Sequence, residues 1–200
     1  MGVIQNNPHN FNEEKNDTME KMKIEDNWLE QENFDVLQTI MMGDDLAWFF
    51  NNYIVDENDT SRFQFTHTFY QNFQPHSEQF RILYHVVEKL QAVSMWRIKA
   101  NLRPKISKEE FYADTYDTIE RSSFHCDIGD LETSPEKLKL WTTSILYINT
   151  NNGYTEFEDG TQVESVANRI VTFPADTKHN GVACTDKKTR IVINFNYFKK

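Results

Sequence analysis

The spacing of apolar residues changes near residue 95, and this change constrains the fold more than any other feature of the chain. From there onward apolar and polar residues alternate in short runs, which is typical of strands with one buried face. Asp159-Gly160 lies between two such runs and indicates a two-residue hairpin. The predicted strands are 95–102, 123–128, 140–149, 155–158, 162–166, 169–173, 179–184 and 190–197.

Before residue 95 the spacing is helical. Residues 30–42 carry apolar side chains at helical intervals, and Gly43 is placed to end that helix. Asp44 and Asp45 are expected to open a short second turn, and Ser77 is expected to cap a helix that runs to about Leu90. Helices followed by many short strands predict an α+β fold, in which N-terminal helices pack on one sheet of a two-sheet antiparallel jelly roll.

The acidity of the chain is concentrated in its first third. The net charge is −10, and residues 1–60 hold 14 acids against 3 bases, whereas the remainder is nearly balanced. Residues 1–20 are polar and asparagine-rich, and we expect them to be a partly disordered leader. Residues 21–200 are expected to form one domain, with helical support over 21–94 and the jelly-roll core over 95–200.

Composition also excludes several classes of partner. An acidic chain without a basic stripe argues against nucleic-acid binding. The longest uninterrupted apolar run, 46–50, is far too short to cross a bilayer, so no membrane partner is expected. Cys126 and Cys184 are the only cysteines and make a disulfide framework improbable, which predicts a cytoplasmic protein. The oligomeric state stays open.

A histidine and an aspartate stand two residues apart in the predicted strand 123–128. If this segment is extended, His125 and Asp127 project from the same face and can converge on one metal ion, while Cys126 points the other way. A two-histidine, one-carboxylate site also needs a histidine from another strand, and His179 is the best candidate. Arg190 begins the last strand on its inward face, where an arginine needs an anion.

In this order and spacing, His125-x-Asp127, His179 and Arg190 resemble the Fe(II)/2-oxoglutarate-dependent oxygenases, in particular the prolyl-4-hydroxylase-like group. Residues 146–149 are similar to the Tyr-Leu-Asn strand of that group, and residues 152–157 to its Gly-Gly-Glu-Thr-x-Phe segment. The resemblance covers residues 95–200 and implies a double-stranded β-helix, which is the jelly roll of these enzymes.

The resemblance also implies a set of ligands. His125, Asp127 and His179 are expected to bind Fe(II), Arg190 to pair with the 5-carboxylate of the cosubstrate 2-oxoglutarate, and Tyr147 to donate a hydrogen bond to that carboxylate. Oxygen is the second cosubstrate, and ascorbate is a possible additional cofactor. The implied reaction is hydroxylation of a peptidyl side chain, with prolyl favoured, and release of succinate and CO2.

Other interpretations stay open. The substrate can instead be a small molecule such as a free amino acid, or the chain can be a non-catalytic jelly-roll binding module. Arg103-Pro104 departs from the Tyr-Pro of many relatives, so a second cosubstrate contact can be absent or replaced. The charged segment 105–121 can be a lid or a solvated loop. His67 shares its face with phenylalanines, which favours a structural role over a place in the substrate pocket.

Overall fold

The computed structural model describes residues 22–55, 57, 62–111, 124–128 and 135–199. The helices are α1 (Gln31–Met42), a 3-10 helix (Glu78–Leu83) that continues into α2 (Tyr84–Leu90), and the one-turn α3 (Pro135–Leu138). The strands are β1 (Lys23–Glu25), β2 (Phe49–Asn51), β3 (Gln64–Gln71), β4 (Gln74–Pro75), β5 (Ala92–Pro104), β6 (Trp141–Tyr147), β7 (Tyr154–Phe157), β8 (Gln162–Glu164), β9 (Ile170–Pro174), β10 (His179–Val182) and β11 (Thr189–Lys199).

Two antiparallel sheets face each other. The large sheet has the order β1-β9-β6-β11-β5-β3-β2, with β4 paired to β3, and the small sheet has the order β10-β7-β8. At the centre of the large sheet β11 pairs with both β5 and β6 along most of its length. The predicted jelly roll with helices packed on one sheet is confirmed.

The outer face of the large sheet carries the main apolar core. Phe34, Leu37 and Met41 of α1 pack with Leu83 and Leu90, and all five are buried. On the sheet side the same core contains alternate residues of β11, namely Ile191, Ile193, Phe195 and Tyr197. The other residues of β11 face the small sheet, as its alternation predicts, and this leaves the inner face free to carry polar side chains.

The helix ends agree in part with the sequence analysis. Helix α1 ends before Gly43, where a Cβ atom would approach the backbone oxygen of Thr39 to 2.8 Å. Ser77 caps the 3-10 helix by accepting a hydrogen bond from the backbone nitrogen of Gln79 at 3.1 Å. The predicted second turn at Asp44 and Asp45 is wrong, because the chain only bends there before it enters β2.

The segment expected to be helical support also contributes strands. β3 pairs with β5 and β2 pairs with β3, so residues before 95 widen the large sheet as well as cover it. β1 forms the opposite edge by pairing with β9. The expected leader, 1–20, lies outside the described residues, as does most of 105–121. Over the described part of the chain, every helix falls short of the length and apolarity needed to cross a membrane.

Candidate metal centre and cosubstrate pocket

The three predicted metal ligands come together between the sheets. The candidate ligand atoms of His125, Asp127 and His179 all lie within 4.8 Å of one another. His125 and His179 form a backbone bridge, with N···O distances of 3.1 and 3.0 Å, and their ring centroids are 5.0 Å apart. This bridge joins the segment 124–128 to β10, so the main chain itself positions both imidazoles.

The reason for their convergence differs from the predicted one. Over 124–128 the chain makes a single bridge at His125 and then turns at Asp127, so the predicted strand 123–128 is wrong for these residues. Alternation on one strand face therefore does not bring His125 and Asp127 together. The bridge places His125, whereas side chains of the large sheet hold Asp127.

Side-chain donors on β5 and β11 hold the Asp127 carboxylate. Its Oδ2 accepts hydrogen bonds from Nδ2 of Asn194 at 2.9 Å and from Nδ2 of Asn196 at 3.2 Å. Arg97 donates to its backbone oxygen at 2.8 Å and lies 3.4 Å from its Oδ1. Burial raises the pKa of this carboxyl, but His179 and Arg97 outweigh burial, so the pKa lies well below its usual range.

His179 is prepared to act as a neutral ligand. Its Nδ1 donates to the carbonyl oxygen of Thr177 at 3.3 Å, which leaves the Nε2 lone pair for a metal ion. Burial lowers the pKa of His179 to about 4, so the ring is neutral near pH 7. Two imidazoles and an oriented carboxylate suit Fe(II), and the fixed carboxylate and tautomer are the usual outer support of such a site.

Arg190 lies fully inside the fold with hydroxyl partners. Its Nε donates to Oγ of Ser165 at 2.9 Å and its Nη2 to Oγ1 of Thr155 at 3.0 Å. A Cβ atom on Gly181 would come within 3.2 Å of its Nη1, so the glycine leaves room above the guanidinium. Among the described residues no carboxylate forms an ion pair with Arg190. Burial lowers its pKa to about 10, so it stays charged and suits an anion.

Thr155 is a pocket residue that the sequence analysis missed. Its Oγ1 accepts from Arg190 and also from the Tyr147 hydroxyl at 2.8 Å. A hydroxyl has two acceptor positions and one proton, so the Thr155 proton stays available to a bound anion. The signal was present in the alternation of β7, in which Thr155 and Phe157 are buried between half-buried neighbours.

Tyr147, the predicted second contact of the cosubstrate carboxylate, has a hydroxyl partner within the protein. It is fully buried on the inner face of β6, and its hydroxyl donates to Thr155. The Arg190 guanidinium carbon lies 5.7 Å from the centroid of its ring. Direct donation from Tyr147 to a cosubstrate carboxylate therefore stays a prediction, while support through Thr155 is what the geometry provides.

A cleft that is open to solvent joins the candidate metal ligands to Arg190. Arg103 also lines it and donates to the carbonyl oxygen of Gly181. His67 lies outside the cavity lining and hydrogen-bonds Ala47 and Ser77, in agreement with the structural role favoured for it. The lining residues are Ile54, Gln64, Lys99, Asn101, Arg103, His125, Asp127, Ile145, Thr155, His179, Gly181, Arg190, Val192 and Asn194.

Solved structures with a similar fold include 2-oxoglutarate/Fe(II) oxygenases. A Pseudomonas putida prolyl-4-hydroxylase aligns with a TM-score of 0.53 and 13% identity, over 92% of this chain and 96% of its own. A 2OG-Fe(II) oxygenase family protein from Burkholderia pseudomallei aligns with a TM-score of 0.56 and 10% identity, over 100% and 94%. The chain has the fold of the 2-oxoglutarate/Fe(II) oxygenases.

The similar structures include enzymes with peptide and with small-molecule ligands. A prolyl hydroxylase from Trichoplax adhaerens, in complex with a hypoxia inducible factor peptide, aligns with a TM-score of 0.56 and 10% identity over 96% and 91%. HygX from Streptomyces hygroscopicus, with nickel, 2-oxoglutarate and hygromycin B bound, aligns with a TM-score of 0.55 and 9% identity over 90% and 83%. No family model and no curated protein matches the sequence. At these identities the comparison speaks to the fold and leaves the substrate open.

Proposed function

We propose that the protein is an Fe(II)- and 2-oxoglutarate-dependent hydroxylase. The observation that carries the proposal is the combination of the clustered His125, Asp127 and His179 with an arginine buried without a carboxylate partner among the described residues, in one cavity of an oxygenase fold. Each element alone is common in proteins. Together they match the two anchoring points that 2-oxoglutarate needs, a metal at one end and a cation at the other.

The roles of the residues follow from their contacts. His125, Asp127 and His179 would hold the iron, and Asn194 and Asn196 would keep the Asp127 carboxylate turned toward it. Arg190 would pair with the 5-carboxylate of 2-oxoglutarate, and the free Thr155 proton would bind the same carboxylate. Ile145 and Val192 line the same cavity with apolar side chains.

Bound iron would supply the activation of oxygen. In the overall reaction, substrate C–H, O2 and 2-oxoglutarate give the hydroxylated substrate, succinate and CO2; one oxygen atom enters each organic product. The two electrons that 2-oxoglutarate provides on decarboxylation and the two from the C–H bond together reduce O2, so no other reductant is consumed. The electron balance of the reaction therefore does not require ascorbate, and its involvement stays a prediction.

The resemblance in sequence favours a peptidyl, prolyl substrate, and a small molecule such as a free amino acid is the second candidate. The fold serves both classes, since its neighbours include a complex with a peptide and one with hygromycin B. A cytoplasmic location, predicted from the cysteine content, is part of the same proposal; both cysteines are free.

Succinate production tests the proposal. Protein reconstituted with Fe(II) without oxygen and then given 2-oxoglutarate and air should release succinate, slowly without substrate and faster with it. Asp127→Ala should abolish both iron binding and succinate release. Arg190→Met should weaken 2-oxoglutarate binding about 10- to 100-fold, because a charged hydrogen-bond pair is lost, while iron binding changes less than about threefold.

Two results would overturn the proposal. If iron binds but succinate never forms with any peptide or amino acid tested, the chain is a binding module that keeps the site without the reaction. If Arg190→Met weakens iron and 2-oxoglutarate binding equally, Arg190 supports the fold and does not bind the cosubstrate. Lys188→Met is the matched control, because it also removes one positive charge but at an exposed position. It should leave both affinities unchanged.

A further inference from the structure

Basic side chains of β5 lie on the side of the cavity that is formed by the large sheet. Alternate β5 residues stand directly across from alternate β11 residues, so Lys99 is paired in register with Asn194, and Asn101 with Val192. Arg97, at the end of this row, is engaged with Asp127. Lys99 lies one step further along, in the lining of the cavity itself.

Lys99 has no assigned task in the proposed reaction. It is half-buried and lines the cavity that also contains the candidate metal ligands. Within the described residues its ammonium group has no hydrogen-bond acceptor and no ion-pair partner. Burial lowers its pKa to about 8, which leaves it mainly protonated at neutral pH. A half-buried ammonium without a partner of opposite charge is available to pair with an anionic group that enters the cavity.

Two acceptors beside Lys99 also lack partners. Nδ2 of Asn194 donates to the Asp127 carboxylate at 2.9 Å, and this hydrogen bond orients the amide. Oδ1 of Asn194 is therefore turned away from that carboxylate, and it is buried without a hydrogen-bond donor. Oδ1 of Asn101 is likewise buried without a donor. Both residues line the cavity. Unsatisfied buried acceptors are rare in folded proteins, and here two of them flank an unpaired cation.

The cosubstrate does not account for this group of residues. Fe(II), the Asp127 carboxylate, the dianion 2-oxoglutarate and Arg190 form a set whose formal charges cancel. Lys99 adds a positive charge beyond that set, and Arg97 adds another beside Asp127. The remaining charge of the cavity is therefore positive, and the anionic group of a second bound molecule would pair with it.

We propose that Lys99, Asn101 and Asn194 form the substrate subsite, and that the substrate is a small molecule with an anionic group next to an N–H or O–H donor, as in a free amino acid or hydroxy acid. Lys99 binds the anion, and the two asparagine oxygens accept from the donor. A prolyl residue within a peptide offers neither a charge nor an N–H group, so it leaves all three unsatisfied. The inference rests on the proposed function and selects its small-molecule substrate class.

Binding without turnover tests the subsite. Protein loaded with Mn(II) and 2-oxoglutarate under nitrogen is titrated by calorimetry and by thermal shift with three probes. These are an equimolar mixture of the twenty free amino acids and their 2-hydroxy acid counterparts, a mixture of the matching primary amides, and an acetylated, amidated Ala-Pro-Ala peptide. The first mixture should raise Tm by about 4 °C or more, and the amides and the peptide should not.

The variant Lys99→Met should weaken binding of the acid mixture at least about 10-fold while its affinity for 2-oxoglutarate changes less than about threefold. Lys99→Arg should retain part of the binding, and the surface control Lys188→Met all of it. The Tm of each variant without probe reports whether it folds. Asn101→Ala is a second variant that keeps the Lys99 cation, and it should weaken binding of the acid mixture several-fold.

Four outcomes would overturn the inference. Three concern the probes: stabilisation by the peptide but not by the free acids, no response to any probe, or equal binding by wild type and Lys99→Met. The fourth is a large loss of 2-oxoglutarate affinity in Lys99→Met, because Lys99 then serves the cosubstrate. These failures are separate from failure of the proposed function, which would appear earlier, as wild-type protein that binds Mn(II) but not 2-oxoglutarate.

Discussion

The two faces of β11 are made by alternate residues of one strand, and they differ in what their side chains do. The outer residues Ile191, Ile193, Phe195 and Tyr197 are buried against the helices in a continuous apolar core. The inner residues Arg190, Val192, Asn194 and Asn196 are equally buried, yet three of the four are polar or charged. Burial stabilises the fold on the outer face, whereas on the inner face it is a cost that hydrogen bonds and bound ligands must offset.

This contrast predicts that substitutions on the two faces separate stability from binding. An outer-face change should lower the free energy of unfolding and leave affinity per folded molecule intact. An inner-face change should mainly weaken binding and should lower the free energy of unfolding less than an outer-face change. Both kinds of variant can be made within a few residues of each other on the same strand, so differences in local backbone environment are small.

Phe195→Ala should give the largest effect. Phe195 is fully buried, and its truncation leaves a cavity in the core, so the free energy of unfolding should fall by about 3–5 kcal/mol. Denaturant titration measures the loss. Phe198→Ala on the same strand, where the ring is partly exposed and contacts Trp141, should cost less than half as much. If folded Phe195→Ala protein binds iron tenfold more weakly, the two faces are coupled and the contrast fails.

The outer face is also the part of the molecule that sequence analysis predicted best. Alternation along 190–197 and helical spacing over 30–42 report burial directly, and Gly43 and Ser77 act through local backbone geometry. β3 was missed although residues 63–67 alternate, because its strand character depends on pairing with β5.

The inner face was predicted less completely, because its contacts depend on register between distant strands. The candidate metal ligands and Arg190 could be named from residue type and order, and the structure brings them together. The contribution of Thr155 depends on β7 packing over Arg190, and that of Lys99 on its position opposite Asn194. The irregular segment 124–128 has its conformation from a bridge to β10, which no local pattern encodes.

Asn196→Ala should give the second-largest effect, and it tests the inner face of β11. Asn196 is fully buried; it donates to Asp127 at 3.2 Å and accepts from Nε of Arg97 at 3.3 Å. Loss of this support should weaken metal binding about 10- to 100-fold, as is usual for residues that orient a ligand. Titration with Mn(II) or Fe(II) under nitrogen measures it.

The same variant should cost only about 1–3 kcal/mol in unfolding free energy measured without metal, because three partners, Asp127, Arg97 and Thr143, lose a hydrogen bond but no large cavity forms. Unchanged metal affinity together with a stability loss as large as that of Phe195→Ala would mean that Asn196 is a structural residue. The inner face of β11 would then differ from the outer face only in polarity.

Tyr147→Phe should give the smallest effect, and it separates two roles for this tyrosine. In the structure the hydroxyl donates to Thr155 from a fully buried position, so its removal should cost about 0.5–1.5 kcal/mol of stability and change the 2-oxoglutarate dissociation constant less than about threefold. Thr155→Val, which removes the acceptor of Arg190 and the proposed donor to the cosubstrate, should raise that constant about tenfold or more. A rise of tenfold in Tyr147→Phe as well would show that the hydroxyl turns from Thr155 to bind the carboxylate directly. The inner face would then rearrange when the cosubstrate enters, in contrast to the fixed packing of the outer face.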